Sequence, residues 1–335
     1  MSDAITNTRH PASNIYLSLE DRMKIGVMVG REETFPPALI KEINNRHSGV
    51  SAEYVKLGGI RMAEECQYDV IIDRISHEIP FYRSYLKTAV LAGAKVINNP
   101  FWWTADDKFF NYSLATRLGI SIPRTVLLPQ KAYKEGVVSE SLRNLKYPLD
   151  WQEIIDYIGL PAFIKPYDGG GWRGVSRVNT EEELMEKYDA SGTDCMVLQQ
   201  YIAFDRYVRS YCIGKKEVCP MPYDPIGHRY LVVDDYLDPP TEERVRRETT
   251  LINEALGYDI NTVEFAILDG EPYAIDYMNP APDADWWSVG TVYFKWLVEK
   301  VADLAIETAL RGEPTLRAHR WDELLKSDIK RAKAD

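Results

Sequence analysis

Apolar positions along this chain fall into short blocks separated by glycine, proline and charge. Residues 24–30 (KIGVMVG) form an apolar run closed by glycine, residues 68–74 (YDVIIDR) a second, and residues 94–100 (AKVINNP) a third, stopped by proline. Apolar runs of this length predict buried parallel strands. Between them, residues 37–45 and 79–92 carry helical spacing, and strand alternating with helix predicts a small Rossmann-like α/β unit. Residues 104–118 then read as a helix, with Thr104 as its N-cap, acids in the first turn and Gly119 as its stop.

The pattern changes after residue 120. Residues 121–129 predict a further strand, residues 130–150 are polar and predict a surface insertion, and residues 151–158 predict a short helix ending at Gly159. Strands and turns then alternate through 161–178 (PAFIKPYDGGGWRGVSRV), 195–202 (CMVLQQYI) and 206–214 (RYVRSYCIG), with a helix over 180–188. A charged helix over 241–256 leads into 261–280 (NTVEFAILDGEPYAIDYMNP), where Asp269-Gly270 marks a tight hairpin turn. A last amphipathic helix runs over 292–311 and stops at Gly312.

Composition narrows the function classes. A chain of 335 residues, 45% hydrophobic and 27% charged, is that of a globular protein with real cores. It contains no apolar run of about 18 residues, which argues against a membrane span. Its amino terminus carries no apolar signal core, so a cytoplasmic location is expected. A net charge of −11 argues against nucleic acid as a partner. Four scattered cysteines without a CxxC pair and five dispersed histidines argue against zinc. The 21 tyrosines and 8 tryptophans can line a pocket, pack a core or face a second copy in a homodimer.

Two segments carry candidate chemistry. In the first, a strand ends in Lys165 and is followed by Asp168, Gly169, Gly170, Gly171, Trp172, Arg173 and Gly174. Successive glycines let backbone N–H groups face an anion, and a lysine beside them supplies charge for phosphate. The bland alternative is a glycine-rich hairpin with a lysine nearby. In the second, Glu264, Asp276 and Asn279 sit on the two arms and end of the hairpin, Glu264 and Asp276 each between apolar neighbours. Buried acids are costly unless they bind something, and oxygen ligands of this kind suit magnesium. The alternative is that both acids lie on a solvated face.

In order and spacing the pieces resemble the ATP-grasp superfamily over residues 22–312. The likeness rests on Asp107-Lys108 opening a helix that ends in Gly119-Ile-x-x-Pro123, and on Lys165 before the glycine loop. It continues through the hinge Val197-Leu198-Gln199-Gln200-Tyr201-Ile202, Arg209 before Gly214, and the hairpin ending in Asn279-Pro280. The branch of ribosomal-protein glutamate ligases and D-alanine–D-alanine ligases is the most similar. The resemblance implies an α/β (α+β) fold: a loose tail (1–21), a Rossmann-like domain (22–122), a central glycine-loop lobe (123–214), a carboxy-terminal metal-binding lobe (215–312) and a second tail (313–335).

By the same resemblance, Lys108 and Lys165 would contact ATP phosphates from two sides, and Asp168 to Gly174 would fold over them. Backbone groups of Gln200 and Ile202 would meet the adenine edge, with Tyr201 beside them and the Gln199 side chain nearby. Asp205 would take the ribose hydroxyls and Arg209 the transferred phosphoryl group. Glu264, Asp276 and Asn279 would hold Mg2+, or Mn2+ in its place. The chain departs from the pattern at Gln199, where an acid is usual, and at Trp172, which is bulky for a phosphate loop. It departs again at Tyr277, where the family's second carboxylate falls; a one-residue bulge would let Asp276 serve instead.

The implied reaction joins a carboxylate, through an acyl-phosphate, to an amine or thiol of a small molecule or peptide. A small-molecule kinase and a non-catalytic nucleotide-binding module are the alternatives, the kinase because its branch carries an aspartate as second metal ligand. For the substrates the sequence offers Asp283 and Asp285 beside Trp286-Trp287, and Arg74 and His77 after the second strand. The competing reading makes the two acids a helix N-terminus and the tryptophans core.

Overall fold

The three apolar runs near the amino terminus become neighbouring strands because both faces of their sheet are covered by helices. The computed structural model describes residues 22–46, 49–62, 64–101, 107–277 and 279–312. β1 (Met23–Met28), β2 (Val50–Tyr54), β3 (Val70–Asp73) and β4 (Lys95–Ile97) form a parallel sheet in the order β2-β1-β3-β4. Period-two alternation sorts β1: Ile25 and Val27 pack with α1 (Phe35–Asn45), while Met28 packs with α2 (Pro80–Leu91). β2 is not anticipated, because Ser51 and Glu53 interrupt its apolar pattern at the sheet edge.

The next helix, α3 (Lys108–Arg117), is capped by Asp107, whose carboxylate accepts from Phe110 N at 2.8 Å. The expected cap Thr104 lies outside the described residues. Gly119 ends the helix as anticipated: at φ +79° it lets Ile120 N donate back to Ala115 O at 3.0 Å.

A second sheet is antiparallel, with β5 (Thr125–Leu128), β6 (Ala162–Pro166), β7 (Ser176–Val178) and β8 (Met196–Gln200) in the order β5-β8-β6-β7. Its core of Leu128, Ile164 and Leu198 is closed by Ile158 from α4 (Trp151–Ile158) and Leu184 from α5 (Glu181–Ala190). Residues 130–150 are largely exposed and hold one short 3-10 turn, in keeping with a surface insertion.

The third sheet runs β11-β10-β9-β12-β13, from β9 (Arg206–Ile213), β10 (Glu217–Asp224), β11 (Arg229–Tyr230), β12 (Ile260–Leu268) and β13 (Glu271–Asp276). β10 escapes sequence reading because Pro220 and Pro222 argue against a strand. It tolerates them because its outer edge pairs with β11 only at Tyr223 and Asp224. The hairpin turn is as expected, with Asp269 at φ 52° and Gly270 at φ +79°. α6 (Pro239–Leu256) covers this sheet together with α3. α7 (Trp286–Arg311) breaks at Gly290 and ends at Gly312, so its long regular part matches the expected span.

α7 unites two sheets. Val301, Ala302 and Ala305 share one cluster with Ile25, Val27 and Ile72 of the first sheet and with Tyr211, Met221 and Ile260 of the third. The second sheet keeps its own cluster. Among the described residues no helix is long and apolar enough to cross a membrane.

Candidate functional site

The two lysines singled out in the sequence are both buried, and they reach different partners. Lys108, at the first turn of α3, is 5% exposed and donates from Nζ to the Gly169 carbonyl. Lys165, near the end of β6, is 7% exposed and donates to Gln199 Oε1 at 2.9 Å and to the Ile275 carbonyl at 3.3 Å. Neither partner of Lys165 is charged. Burial therefore dominates and pushes its pKa down to about 8; Asp276 opposes this and the neighbouring Lys108 charge adds to it.

The glycine loop leaves β6 over Asp168, exposed, and returns as β7. Gly174 has no room for a side chain, since a Cβ there would lie 2.9 Å from Pro166 Cγ. Trp172 adopts a left-handed φ of 61°, costly for an aromatic residue. Its half-exposed ring meets the edge of His228 at 6.2 Å between centroids.

At the end of β8, the Gln199 amide bridges Lys165 and Thr125, donating from Nε2 to Thr125 Oγ1 at 3.1 Å. Gln200 N donates to Arg124 O at 2.8 Å, and the Arg177 guanidinium lies 4.3 Å from the Tyr201 ring centroid. Ile202 is buried and Asp205 exposed, with Asp205 N bonded to Ile267 O at 2.9 Å.

Strand pairing builds the acidic part. β9 places Arg209 opposite Glu264 on β12, and its Nη2 lies 2.9 Å from Glu264 Oε1. The guanidinium also rests 3.9 Å from the Tyr223 ring centroid and 3.4 Å from Asp283 Oδ2. On the other side of β12 the register shifts: Phe265 faces Ala274, but Glu264 faces Asp276. Ile275 is the extra residue of a bulge, the device that turns Asp276 toward Glu264. Tyr277, where the family pattern puts a carboxylate, is 1% exposed and packs edge-on against Tyr112.

Burial raises the pKa of Glu264; Arg209 pulls it down, Asp276 adds to the rise, and Tyr207 donates to it from its hydroxyl. Two carboxylates facing each other at a bulge, with Asn279 just beyond, are oxygen donors of the kind a hard divalent cation takes.

Asn279 opens a loop held at five of its seven residues, 279–285. Asn279 N donates to Asn261 Oδ1 at 3.0 Å, and Asn98 Nδ2 donates to Pro280 O at 3.2 Å. Arg74 donates to the Pro282 carbonyl and Tyr211 to that of Asp283. Asp285 accepts from Thr34 N at 2.8 Å and Phe35 N at 3.0 Å, capping α1 from across the molecule.

These bonds engage several of the residues expected to meet the substrates. Asp283 does join Arg209 at the site. Asp285 is 4% exposed and engaged by α1; although burial works against ionisation, the backbone donors of Phe35, Thr34 and Glu33 lower its pKa. Arg74 is buried in a two-pronged ion pair with Glu32, its Nε 2.8 Å from Oε2. His77 stands beside Glu78, with burial lowering its pKa. Trp286 and Trp287, which one of the two readings put in the core, are 52% and 67% exposed. Sequence reasoning missed Asn98 and Tyr112, whose partners lie far along the chain, and Asn261, which reaches the end of its own hairpin at Asn279.

No family model matches the sequence. Among curated proteins, the D-alanine--D-alanine ligase of Psychrobacter sp. is 33% identical over 88 residues, 26% of this chain and 26% of that relative. The D-alanine--D-alanine ligase of Phocaeicola vulgatus is 28% identical over 164 residues, 43% of this chain and 50% of the relative. The matched stretches thus span about a quarter and a half of those relatives. Solved structures match over more of the chain. The D-alanine--D-alanine ligase of Bacillus anthracis complexed with ATP superposes with a TM-score of 0.61 at 17% identity, covering 87% of this chain and 97% of that one. A RimK domain ATP-grasp protein of Sphaerobacter thermophilus gives 0.61 at 16%, covering 86% and 99%. The macrocyclase MdnC of Microcystis aeruginosa, bound with its precursor peptide, gives 0.60 at 13%, covering 85% and 100%. At such identities the likeness is one of architecture, and on that ground this chain has the ATP-grasp fold.

Proposed function

We propose that this protein is an ATP-dependent ligase that activates a carboxylate as an acyl-phosphate and joins it to an amine, or less often a thiol. The observation that carries the reading is the bulge at Ile275, which sets Asp276 opposite Glu264 within reach of Arg209 and Lys165. A solvated hairpin would need neither the bulge nor the buried lysine. The ligases among the similar proteins support the same reading.

In this reading Lys108 and Lys165 hold the nucleotide phosphates beneath the loop from Asp168 to Gly174, and Gln199 to Ile202 line the adenine cleft. Asp205 takes the ribose. Glu264, Asp276 and Asn279 would hold magnesium, which would supply positive charge to offset that of the phosphates. Arg209 stabilises the phosphoryl group in transit, with Asp283 beside it facing the incoming amine. No protein nucleophile is required.

Offering ATP, Mg2+ and paired amino acids or dipeptides should yield ADP, free phosphate and a product lighter than its two parts by one water. A phosphorylated product without free phosphate would instead establish a kinase, the reading that an aspartate at position 276 favours. ATP binding without ADP release from any pair would leave a binding module.

The site also implies a pH dependence. Lys165, with its pKa near 8, loses its proton as pH rises through that value, whereas a bound phosphate holds the proton on. ATP affinity should therefore be greatest below about pH 8 and fall above it. Gln199→Glu, which gives Lys165 a charged partner, should move that fall to higher pH. Titration calorimetry between pH 7 and 9 reads both; a flat profile in the native protein contradicts the assignment.

A further inference from the structure

We propose that Tyr112 is a positioning residue that holds the Lys165 ammonium in the place where it meets the nucleotide. Tyr112 lies one turn after Lys108 on α3, at a spacing that puts both on one helix face. From that face the helix reaches two different parts of the site. Lys108 binds the glycine loop at the Gly169 carbonyl, and Tyr112 binds the hairpin bulge, its hydroxyl donating to the Ile275 carbonyl at 3.0 Å. Lys165 donates to the same Ile275 carbonyl at 3.3 Å, and a carbonyl's two lone pairs accept both donors. The Tyr112 ring stands under the ammonium, 5.2 Å from Nζ to the ring centroid.

The seat is matched to its occupant. A buried ammonium needs three acceptors, and Lys165 has two uncharged oxygens, from Gln199 and Ile275, and one aromatic face. Tyr112 supplies the face and pins the carbonyl. Tyr112 is itself fixed: it is 3% exposed and packs edge-on against Tyr277 at 5.6 Å. The bulge therefore does two things at once. It turns Asp276 toward Glu264 and presents its own carbonyl to Lys165, so Tyr112, by gripping that carbonyl, keeps lysine and carboxylates in register.

The proposal rests on the nucleotide-binding reading above only in that Lys165 is taken to meet phosphate. Its test compares ATP with adenosine, which shares the base and ribose but has nothing for Lys165 to bind. Titration calorimetry on the full chain should show Tyr112→Phe weakening ATP about threefold, because the ring remains and the hydroxyl is lost. Tyr112→Leu should weaken it about tenfold, with adenosine unchanged in both. In a Lys165→Ala background the same two substitutions should leave ATP affinity where Lys165→Ala alone sets it. Equal losses for ATP and adenosine, or undiminished losses in the Lys165→Ala background, would reduce Tyr112 to a packing residue and overturn the proposal. Should Tyr112→Leu fail to fold, Tyr112→Phe carries the same test alone. Native protein that binds neither compound overturns the nucleotide reading, and this proposal with it, whereas native ATP binding untouched by either variant overturns this proposal only.

Discussion

Lys165→Ala and Arg209→Ala should each abolish ATP turnover while the protein stays folded. The two losses have different origins. Lys165 is buried with uncharged hydrogen-bond partners, so the fold bears its desolvation and gains little from its charge. Removing it should leave the melting temperature unchanged or higher. Arg209 is paired with Glu264 and stacked on Tyr223, so its removal leaves Glu264 facing Asp276 with Lys165 as the remaining neighbouring positive charge. Some stability should be lost there, and Glu264 should take up a proton at higher pH than before. For turnover, a positioned donor to a developing anion is worth about 3–4 kcal/mol, a loss of roughly 100- to 1000-fold in rate. ADP release and thermal melting, measured together, separate the effects. Near-native turnover by either variant would remove that residue from the assigned chemistry.

The second large effect concerns the carboxylates. Glu264→Gln and Asp276→Asn keep the shape of each side chain and remove its charge. Both should abolish magnesium-dependent turnover while weakening ADP binding only modestly, since most of the residues proposed to hold the nucleotide lie on or beside the second sheet. Asp276→Asn is the more informative, because its direction depends on one extra residue in β13. If that variant turns over normally, the metal rests on Glu264 and Asn279. If magnesium fails to tighten ATP binding in the native protein, the oxygen ligands have been misassigned.

What the sequence made legible was local in origin. The apolar runs of β1, β3 and β4, the helix from Trp151 to Ile158 and the Asp269-Gly270 turn all follow from neighbours a few residues apart. A bulge before Asn279 was readable as one option too, because Asp276 falls one residue short of the place the family pattern gives its second carboxylate. β2 was hidden because an edge strand tolerates polar residues, and β10 because its outer edge, paired with β11 only at Tyr223 and Asp224, tolerates proline. Partner choice across the chain was hidden altogether. Asp285 caps a helix 250 residues earlier, and Arg74 binds a carbonyl 208 residues later. An acid beside two tryptophans looks the same in sequence whether it awaits a substrate or holds a helix. Gln199 was visible as a departure, yet its meaning came only when Lys165 was found to have no charged partner.

The loop from Asn279 to Asp285 has one more consequence. It is anchored at Asn279, Pro280, Pro282, Asp283 and Asp285 to both the first and the third sheet. A loop so held has already given up its conformational entropy during folding, and a ligand that meets it owes little for ordering it. The same rigidity removes the capacity to adapt. Where a mobile loop would remould itself around unlike molecules, this one presents Asp283 at a fixed angle beside Arg209 and accepts what fits. Under the proposed ligase reading, such a surface favours selectivity for a narrow range of amines over breadth.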